Sequence, residues 1–148
     1  MLVVSACLLG RPCTYRGDAN RRDPVAALAD RFELVAVCPE EAGGLATPRP
    51  AAELGADGRV RTADGDDVTD AFERGAEVAV RVARGRGAVG AVLKGRSPSC
   101  GCHGVYDGTF TRTLVAGEGI TAAALRSAGV PVVDEDDVAA GRLPGAGT

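Results

Sequence analysis

The residues of this chain most able to do chemistry are its cysteines. The sequence of 148 residues contains five cysteines and a single histidine. An odd number of cysteines favours metal binding or thiol catalysis over a framework of disulfides. Three of them, Cys7, Cys38 and Cys100, each follow a short apolar segment and lie close to glycine or proline. Turns of this kind let backbone N–H groups approach a sulfur atom, as they do around sulfur-ligated metal sites.

Other interpretations of the cysteines stay open. A buried cysteine is often only a small hydrophobic residue, and Cys13 is either a bystander or a redox partner in the loop after the first apolar segment. The run from Cys100 through Cys102 to His103 also resembles half of a zinc site, because zinc accepts thiolate and imidazole ligands together. One glycine between the two cysteines is, however, tighter than the usual spacing. The other interpretation of His103 is an ordinary exposed side chain.

The elements that would position these residues are alternating strands and helices. Apolar segments predict four strands, at residues 1–6, 32–37, 88–93 and 130–134. Apolar periodicity and start signals predict three helices, at residues 23–30, 68–84 and 121–128. Strands that alternate with helices form a mainly parallel sheet with right-handed crossovers. We therefore predict an α/β fold of the Rossmann-like, three-layer type, with a strand order of about 2-1-3-4 and helices on both faces.

This order brings three of the cysteines to one edge. Cys7 follows the first strand, Cys38 the second, and Cys100 lies in the loop after the third. The carboxyl ends of parallel strands meet at the same edge of a sheet, where ligands bind in open α/β folds. Neighbouring strands are about 4.8 Å apart, so three thiolates from adjacent strand ends can converge within about 10 Å. The sequence therefore predicts a shared sulfur site at this edge.

The remaining segments are predicted to be irregular or short. Residues 41–66 form a long excursion rich in Gly, Pro and Asp, with a small hairpin around residues 59–62. Residues 95–108 are predicted to be a loop, followed by a hairpin arm at residues 109–115. The polar tail at residues 135–148 is predicted to fray.

Size and charge exclude several classes of protein. The length fits a single domain over residues 1–148. A net charge of −3 without a basic block argues against nucleic-acid binding. No apolar stretch approaches the ~20 residues of a membrane helix, and the first residues lack the features of a signal peptide. We expect no membrane association and a cytoplasmic protein, since thiols stay reduced there.

Several short motifs occur together along the chain. They are SACLLG (5–10), VCPE (37–40), GG (43–44) with TPRP (47–50), DVT (67–69), KGRSPSCG (94–101) and YDGTF (106–110). In this order they resemble the thiouracil desulfidase (TudS) family in its short single-domain form. The resemblance runs from residue 1 to about residue 134, which is nearly the whole chain.

The resemblance implies a cofactor and a reaction. Members of this family carry a 4Fe–4S cluster on three cysteines, which match Cys7, Cys38 and Cys100. The fourth iron has no protein ligand and binds the sulfur of a thiolated pyrimidine such as 2- or 4-thiouracil. Removal of that sulfur is hydrolytic, without net redox change, and gives uracil and hydrosulfide. The family's catalytic glutamate and serine fall on Glu40 and Ser97.

The residues themselves leave rivals for these roles. Glu41 is as available as Glu40 for general-base chemistry, and Ser97 before Pro98 also suits a plain turn. The positive charges expected to orient a polar or anionic substrate are Arg49, Lys94 and Arg96. The aromatic side chains expected to face a flat ring are Tyr106 and Phe110.

The chain also departs from the family pattern in two places. Residues 14–17 read TYRG where the family often has RYDG, which affects the substrate edge near Tyr15. The position of Cys102 is more often small and non-coordinating in the family, so Cys102 is an alternative ligand beside Cys100.

Two other functions remain as alternatives. The first is sulfur capture or transfer at a cluster, with Cys13 or Cys102 as a persulfide carrier. The second is a non-catalytic binding module stabilised by zinc or by a cluster, with residues 41–66 as the partner surface. The expected partner is a small thiolated nucleobase, and the sequence specifies neither the physiological substrate nor the oligomeric state.

Overall fold

A parallel four-stranded sheet forms the centre of the molecule. The computed structural model describes residues 1–145. Its strands and helices are β1 Leu2–Ser5, α1 Asp23–Ala26, β2 Leu34–Val37, α2 Pro39–Ala42, β3 Ala52–Leu54, β4 Val60–Thr62, α3 Thr69–Arg86, β5 Gly90–Leu93, β6 Gly104–Tyr106, β7 Leu114–Ala116, α4 Ile120–Ser127, β8 Val132–Asp134 and α5 Glu135–Ala139. Two 3₁₀ turns, Ala6–Leu9 and Ala27–Asp30, follow β1 and α1.

The order of the strands in this sheet is β2-β1-β5-β8, and all three pairings are parallel. This is the predicted order 2-1-3-4, so the α/β prediction is confirmed. Every residue of the two central strands, β1 and β5, is buried. Continuous apolar strands of this kind are typical of parallel sheets that are covered on both faces. The strands begin later than the apolar segments suggested; β8, for example, begins after Pro131, which cannot donate to a sheet.

Helices cover both faces of the sheet. On one face, α3 and α4 pack on the sheet through small apolar side chains: Ala79, Ala83, Ala122 and Leu125 against Val3, Ala91 and Leu93. On the other face, α1 and α5 contribute Val25 and Val138, which pack with Leu2, Val4 and Val92. The core is therefore aliphatic and thin, and Phe72 is the largest fully buried side chain.

The packing of α3 also fixes the short helix α2, which carries Glu40. A methyl group at Gly75 of α3 would overlap the carbonyl group of Pro39, the first residue of α2. Glycine at this position lets the two helices touch through their backbones. Arg74 completes the contact, because its guanidinium donates to the carbonyl oxygen of Gly43 at 3.1 Å. Sequence reasoning did not predict α2.

Two small antiparallel hairpins extend from the central sheet. The first joins β3 and β4 and confirms the hairpin predicted around residues 59–62. The second joins β6 and β7. Its first strand lies inside residues 95–108, which were predicted to be a loop, so this hairpin starts earlier than the arm predicted at residues 109–115. Gly104 carries no side chain that would signal a strand, which is why the pattern was missed.

The carboxyl-terminal segment is ordered where the sequence predicted a frayed tail. Residues Glu135–Ala139 form α5, with Glu135, Asp137 and Val138 buried. Asp134 caps this helix by accepting a hydrogen bond from the N–H of Asp137, and the Asp137 side chain accepts one from the N–H of Asp134. This reciprocal capping stabilises a short helix. The last part of the predicted tail, residues 146–148, lies outside the described residues. No helix in residues 1–145 is long and apolar enough to cross a membrane.

A cysteine-lined cavity at the carboxyl edge of the sheet

A cavity of about 460 Å³ opens at the carboxyl ends of β1, β2 and β5. Cys7, Cys38 and Cys100 all line it. The predicted convergence of these three cysteines at one edge of the sheet is therefore present in the structure. A larger and more open groove, of about 760 Å³, runs along α3 and α4. That groove contains no cysteine, so the chemistry concentrates in the smaller cavity, which we call the sulfur cavity.

Each of the three cysteines is held by a tight local structure. Cys7 lies in the 3₁₀ turn after β1, which ends at Gly10 in the left-handed conformation. Cys38 is the residue between β2 and α2. Cys100 lies in a turn built by Ser97, whose hydroxyl oxygen accepts hydrogen bonds from the N–H groups of Ser99 at 3.1 Å and Cys100 at 3.0 Å. These turns fix the backbone at each of the three cysteines.

The surroundings act differently on the three thiols. Burial raises the pKa of Cys7, although the charge of Lys94 and a hydrogen bond with Asn20 partly oppose it. Burial also raises the pKa of Cys100 to about 12, in spite of the hydroxyl of Ser5, which donates to its sulfur at 3.3 Å.

Cys38 differs from the other two. A hydrogen bond with the Cys13 thiol lowers the pKa of Cys38 to about 7, against the effect of burial, and the N–H of Glu41 and the charge of Arg49 act in the same direction. The same pairing raises the pKa of Cys13. Because burial raises the pKa of Cys7 and Cys100, a metal that bound these two thiols would have to displace their protons, as at most thiolate sites.

The three sulfur atoms are not placed as the ligands of a single metal ion. Ligands of a single zinc ion lie roughly 3.3–3.8 Å apart, given metal–ligand bonds of about 2.0–2.3 Å. Cys7, Cys38 and Cys100 do not form a set of donor atoms within 4.8 Å of one another in residues 1–145. The ligands of an iron–sulfur cluster bind different iron atoms and so stand farther apart. Three sulfur donors around an open cavity are suited to such a cluster.

Glu40 lies in the same cavity and is held in place by Arg49. The guanidinium of Arg49 donates from Nε to Glu40 Oε1 at 3.0 Å. Its other nitrogens donate to Thr47 Oγ1 at 2.9 Å and to the carbonyl oxygen of Cys13 at 2.8 Å. The Arg49 side chain is only 6% exposed, and that of Glu40 is 19% exposed. Arg49 therefore orients Glu40 and links the loop that carries Cys13 to helix α2, which carries Glu40.

Glu41, the predicted rival of Glu40, is engaged elsewhere. Its carboxylate accepts from Thr47 Oγ1 at 2.5 Å and pairs with Arg11 at 2.8 Å. Glu41 is absent from the lining of the sulfur cavity, whereas Glu40 is part of it. Helix α2 separates the directions of the two neighbouring carboxylates, because successive residues on a helix face different sides.

Lys94 lines the cavity and is anchored by a buried acid. Its Nζ lies 3.1 Å from Oε2 of Glu135, and Oε1 of Glu135 accepts from the N–H of Gly95 at 2.6 Å. The N–H of Lys94 donates to the hydroxyl of Ser5 at 2.9 Å, the same hydroxyl that donates to Cys100. Lys94 is thus fixed at both its backbone and its ammonium group.

The other predicted site residues are divided between cavity and surface. Ser97, Arg96 and Tyr106 line the sulfur cavity. Arg96 has a φ of 66°, which non-glycine residues rarely adopt and which often marks a functional position. Phe110 does not line the cavity; it is 38% exposed in the turn between β6 and β7, where its N–H donates to Glu53 at 3.1 Å. The structure therefore does not bring Phe110 to the other site residues.

Cys102 and His103 belong to a second group of possible ligands. Donor atoms of Cys102, His103, Asp134 and Asp137 all lie within 4.8 Å of one another. His103 Nε2 is 2.6 Å from Asp137 Oδ2, and this hydrogen bond raises the pKa of the imidazole. Burial raises the pKa of the Cys102 thiol to about 12 and also raises that of Asp134. Asp137 has a pKa of about 2 in spite of burial, because the Asp134 N–H, His103 and Arg142 all donate to it.

Sequence reasoning missed three residues that contact the site. Ser5 and Asn20 act on Cys100 and Cys7, and no local pattern distinguishes them from ordinary polar residues. Glu135 could have been found, because it directly follows the fourth predicted strand and so lies at the same edge as the cysteines. It was missed because its segment was assigned to a frayed tail.

Comparisons with known proteins agree with these observations. A family model described as 2-thiouracil desulfurase matches residues 2–137. Over 147 residues the chain is 37% identical to "Uncharacterized protein YbbK" of Bacillus subtilis (strain 168), with 93% of this chain and 97% of that protein covered. A solved structure of a 4Fe–4S-dependent thiouracil desulfidase, TudS, matches with a TM-score of 0.87 and 44% identity, covering 94% of this chain and 93% of that one. The resemblance inferred from the motifs is confirmed.

Proposed function

The chain belongs to the 2-thiouracil desulfurase family, and from this premise we propose that it removes sulfur from thiolated pyrimidines such as 2- or 4-thiouracil. The cofactor in this proposal is a 4Fe–4S cluster held by Cys7, Cys38 and Cys100. The observation that carries it is the meeting of these three thiols and Glu40 in one cavity of about 460 Å³. A cavity of this volume is within the range of small-molecule sites.

The overall reaction is a hydrolysis. A carbon–sulfur double bond is replaced by a carbon–oxygen double bond, water supplies the oxygen, and sulfur leaves as hydrosulfide with a proton. No electron is gained or lost overall, so neither an oxidant nor a reductant is required. When bound, a cluster with one iron free of protein ligands supplies a soft Lewis acid that matches a thiocarbonyl sulfur.

Glu40 is the general base in this proposal. It follows Cys38 by two residues, lies in the cavity and is oriented by Arg49 at 3.0 Å. A carboxylate held in this way can take a proton from the attacking water, a role worth about 10²–10⁴-fold in rate. Glu40 is preferred to Glu41 in this role, because Glu41 does not line the cavity and its carboxylate pairs with Arg11.

The remaining polar groups bind and orient the base. Lys94 and Arg96 place positive charge at the cavity wall, where they can attract the polar edge of a thiolated pyrimidine. The Ser97 hydroxyl accepts two backbone N–H groups, which leaves its own proton free to be donated to a ring oxygen or relayed. Tyr106 lines the cavity and offers an aromatic surface to a planar ring.

Sulfide release after anaerobic reconstitution tests this proposal. We expect the reconstituted protein to contain about four iron atoms per chain and to convert 2- or 4-thiouracil into equal amounts of uracil and sulfide. Turnover should need no added electron donor or acceptor. A protein with full iron content that releases no sulfide from either compound would contradict the proposal.

A second candidate function is sulfur transfer through Cys13. The supporting observation is that Cys13 lines the cavity and that its sulfur, the Cys38 sulfur and a Glu41 oxygen lie within 4.8 Å of one another. A persulfide on Cys13 contains sulfur at a higher oxidation level than hydrosulfide, so this function would use a donor that is itself a persulfide: the Cys13 thiolate attacks the outer sulfur, the donor leaves as its thiolate, and no net redox change occurs. Replacing Cys13 with serine separates the two candidates: hydrolysis continues in Cys13→Ser, whereas transfer stops.

The non-catalytic module is tested by colour and metal content. A brown protein that contains iron and labile sulfide after anaerobic purification supports the desulfidase, and a colourless protein that contains only zinc supports the module. A cytoplasmic location remains our prediction, because reduced thiols are needed for cluster assembly.

A further inference from the structure

We propose that Cys102, His103, Asp134 and Asp137 form a second metal site, which binds zinc and is distinct from the sulfur cavity. We call these four residues the His103 site. They come from three elements: the loop after β5, the end of β8 and the first turn of α5. Their donor atoms all lie within 4.8 Å of one another, and none of the four residues lines the sulfur cavity.

The donor atoms suit zinc. Zinc takes sulfur, imidazole nitrogen and carboxylate oxygen in a tetrahedral arrangement. Ligand atoms on one zinc ion stand roughly 3.3 Å apart or slightly more, given bonds of about 2.0–2.3 Å. His103 Nε2 is 2.6 Å from Asp137 Oδ2 and 4.0 Å from Asp134 Oδ2. A shift of under about 1 Å by His103 therefore brings both distances to this value, and its side chain is 62% exposed.

The two carboxylates are already oriented by other contacts. Asp134 Oδ1 accepts from the N–H of Asp137 at 2.9 Å, which leaves Oδ2 on the side of His103. Asp137 Oδ1 accepts from Arg142 at 2.9 Å, while its Oδ2 accepts from the N–H of Asp134 at 3.0 Å and contacts His103 at 2.6 Å. Outer partners of this kind fix metal-binding carboxylates and tune their affinity. The hydrogen bonds that cap α5 thus also hold two of the proposed metal ligands, Asp134 and Asp137.

Burial and charge also favour a cation here. Cys102, Asp134 and Asp137 are 4%, 6% and 5% exposed. Two adjacent buried carboxylates repel each other and are costly unless a positive charge compensates them. Arg142 and His103 both contact Asp137, at 2.8 Å and 2.6 Å, whereas Asp134 Oδ2 lies 4.0 Å from His103, which carries a charge only when it is protonated. A zinc ion would supply that charge at any pH at which the ligands bind.

The local chain separates this site from the sulfur cavity. Gly101 lies between Cys100, which lines the cavity, and Cys102, which does not. A methyl group at Gly101 would come within 2.8 Å of the carbonyl oxygens of Gly104 and Ser97, so only glycine fits this turn. Zinc at the His103 site would tie the loop that carries Cys100 to β8 and α5. Its role would be structural, and it does not depend on the proposed desulfidase activity.

The test measures zinc on the cluster-loaded protein. The anaerobically prepared protein is given excess Zn²⁺, desalted, and analysed for zinc and iron per chain. We expect about one retained zinc atom, with iron unchanged. Zinc X-ray absorption should show a single sulfur ligand at about 2.3 Å with nitrogen and oxygen ligands at about 2.0–2.2 Å.

Two variants and a matched control locate the metal. His103→Ala and Cys102→Ser should each weaken zinc binding by more than the roughly 10–100-fold expected for loss of an outer partner. Asp136→Asn removes a neighbouring exposed acid of α5 and should leave zinc binding unchanged. His103 is exposed, so His103→Ala keeps the test valid even if Cys102→Ser fails to fold.

Three results would overturn the proposal. They are the absence of retained zinc in the unmodified protein, retention of zinc by His103→Ala at the same affinity, and a spectrum with two or more sulfur ligands. The last result would assign the zinc to the cysteines of the sulfur cavity. His103 and Asp137 would then form only an ion pair at the start of α5 and would hold no metal.

Discussion

Cys100 and Cys102 are two residues apart, yet they belong to two regions built on different plans. Cys100 lies with Cys7, Cys13 and Cys38 around a cavity of about 460 Å³, and the sulfur atoms of Cys7, Cys38 and Cys100 do not form a set within 4.8 Å of one another in residues 1–145. Cys102 joins a histidine and two carboxylates whose donor atoms do lie within 4.8 Å. The first region leaves room for a cluster and a substrate, whereas the second has room for one ion only.

The difference resembles that between catalytic and structural metal sites. A catalytic site keeps a coordination position open, and a structural site is closed by protein ligands. The sulfur cavity has sulfur donors of one kind and a free volume beside a carboxylate base. The His103 site has mixed donors, and two of them, Asp134 and Asp137, are already held by the capping of α5. Donor type and free volume, rather than the number of cysteines nearby, thus separate the two functions.

The sharpest test of this comparison removes Cys100 and Cys102 in two separate variants. Cys100→Ala should abolish retention of the cluster, so that iron falls from about four atoms per chain to near zero, because only two of the three proposed cluster ligands, Cys7 and Cys38, then remain. Iron and labile sulfide are measured after anaerobic reconstitution. Cys102→Ala is the matched control and should keep its iron. Normal iron in Cys100→Ala, with loss in Cys102→Ala, would make Cys102 the third ligand and break the comparison.

The next largest effect is expected at the carboxylate of the cavity. Glu40→Gln should lower kcat for sulfide release by about 10²–10⁴-fold while iron content stays normal, because the amide cannot accept a proton from water. Glu41→Gln is the control, since Glu41 lies beside Glu40 in α2 but outside the cavity lining. Equal losses in the two variants would show that helix α2, rather than one base, is what matters.

Arg49 should have a smaller effect, because it acts through Glu40. Arg49→Lys keeps the charge but cannot reach Glu40, Thr47 and the Cys13 carbonyl together, so we expect kcat to fall by about 10–100-fold. Iron content and KM should change little. Combining Arg49→Lys with Glu40→Gln should add little to the loss in Glu40→Gln alone, as expected for coupled residues.

Arg11→Lys provides the control for Arg49, since Arg11 pairs with Glu41 at the surface, with 57% of its side chain exposed. It should turn over at the normal rate. A fully additive loss in the double variant would refute a positioning role for Arg49.

The smallest effect is expected at Asp67, which contrasts with Asp137 of the His103 site. Both accept a backbone N–H at the start of a helix, but Asp67 is exposed. Hydrogen bonds from Arg59 and Thr69 hold the pKa of Asp67 well below its ordinary value of 3.8. Its contribution to stability is therefore present above pH 3.8 and is lost as the pH falls through the lower, folded-state pKa.

Asp67→Asn should thus lower Tm slightly at neutral pH, and the difference from the unmodified protein should close in acid. Thermal unfolding at pH 7 and in steps below pH 4 measures this. Asp64→Asn, a change at another exposed acid of the same loop, should leave Tm nearly unchanged. A gap between Asp67→Asn and the unmodified protein that widens in acid would mean that another group causes the shift.

Much of the framework was predictable from local patterns. The apolar segments marked the four strands of the sheet, and the alternation with helices gave their order. Once that order was assumed, Cys7, Cys38 and Cys100 had to share an edge, because they follow three neighbouring strands. The motifs around them identified the family and suggested Glu40 and Ser97, whose positions near Cys38 and Cys100 are fixed by sequence distance.

The parts that differ from the expectation depend on contacts with no local signature. Phe110, expected at the substrate, is 38% exposed in the turn between β6 and β7 and does not line the sulfur cavity. The tail after residue 134 was expected to fray, but Glu135 is buried. Its carboxylate contacts Lys94 and the N–H of Gly95, which lies 40 residues before it in the chain. Polar composition alone cannot show that a carboxylate will find such partners.

The sequence by itself determined the fold class, the family and the set of cysteines at the carboxyl edge, because strand period, chain order and turn residues are local properties. Only the tertiary structure decided which neighbour does what. It separated Glu40 from Glu41 by the arginine each one meets, and it sent Cys100 and Cys102 to different sites. These choices rest on contacts such as that of Ser5 with Cys100, 95 residues apart, which exist only after the sheet and its helices have packed.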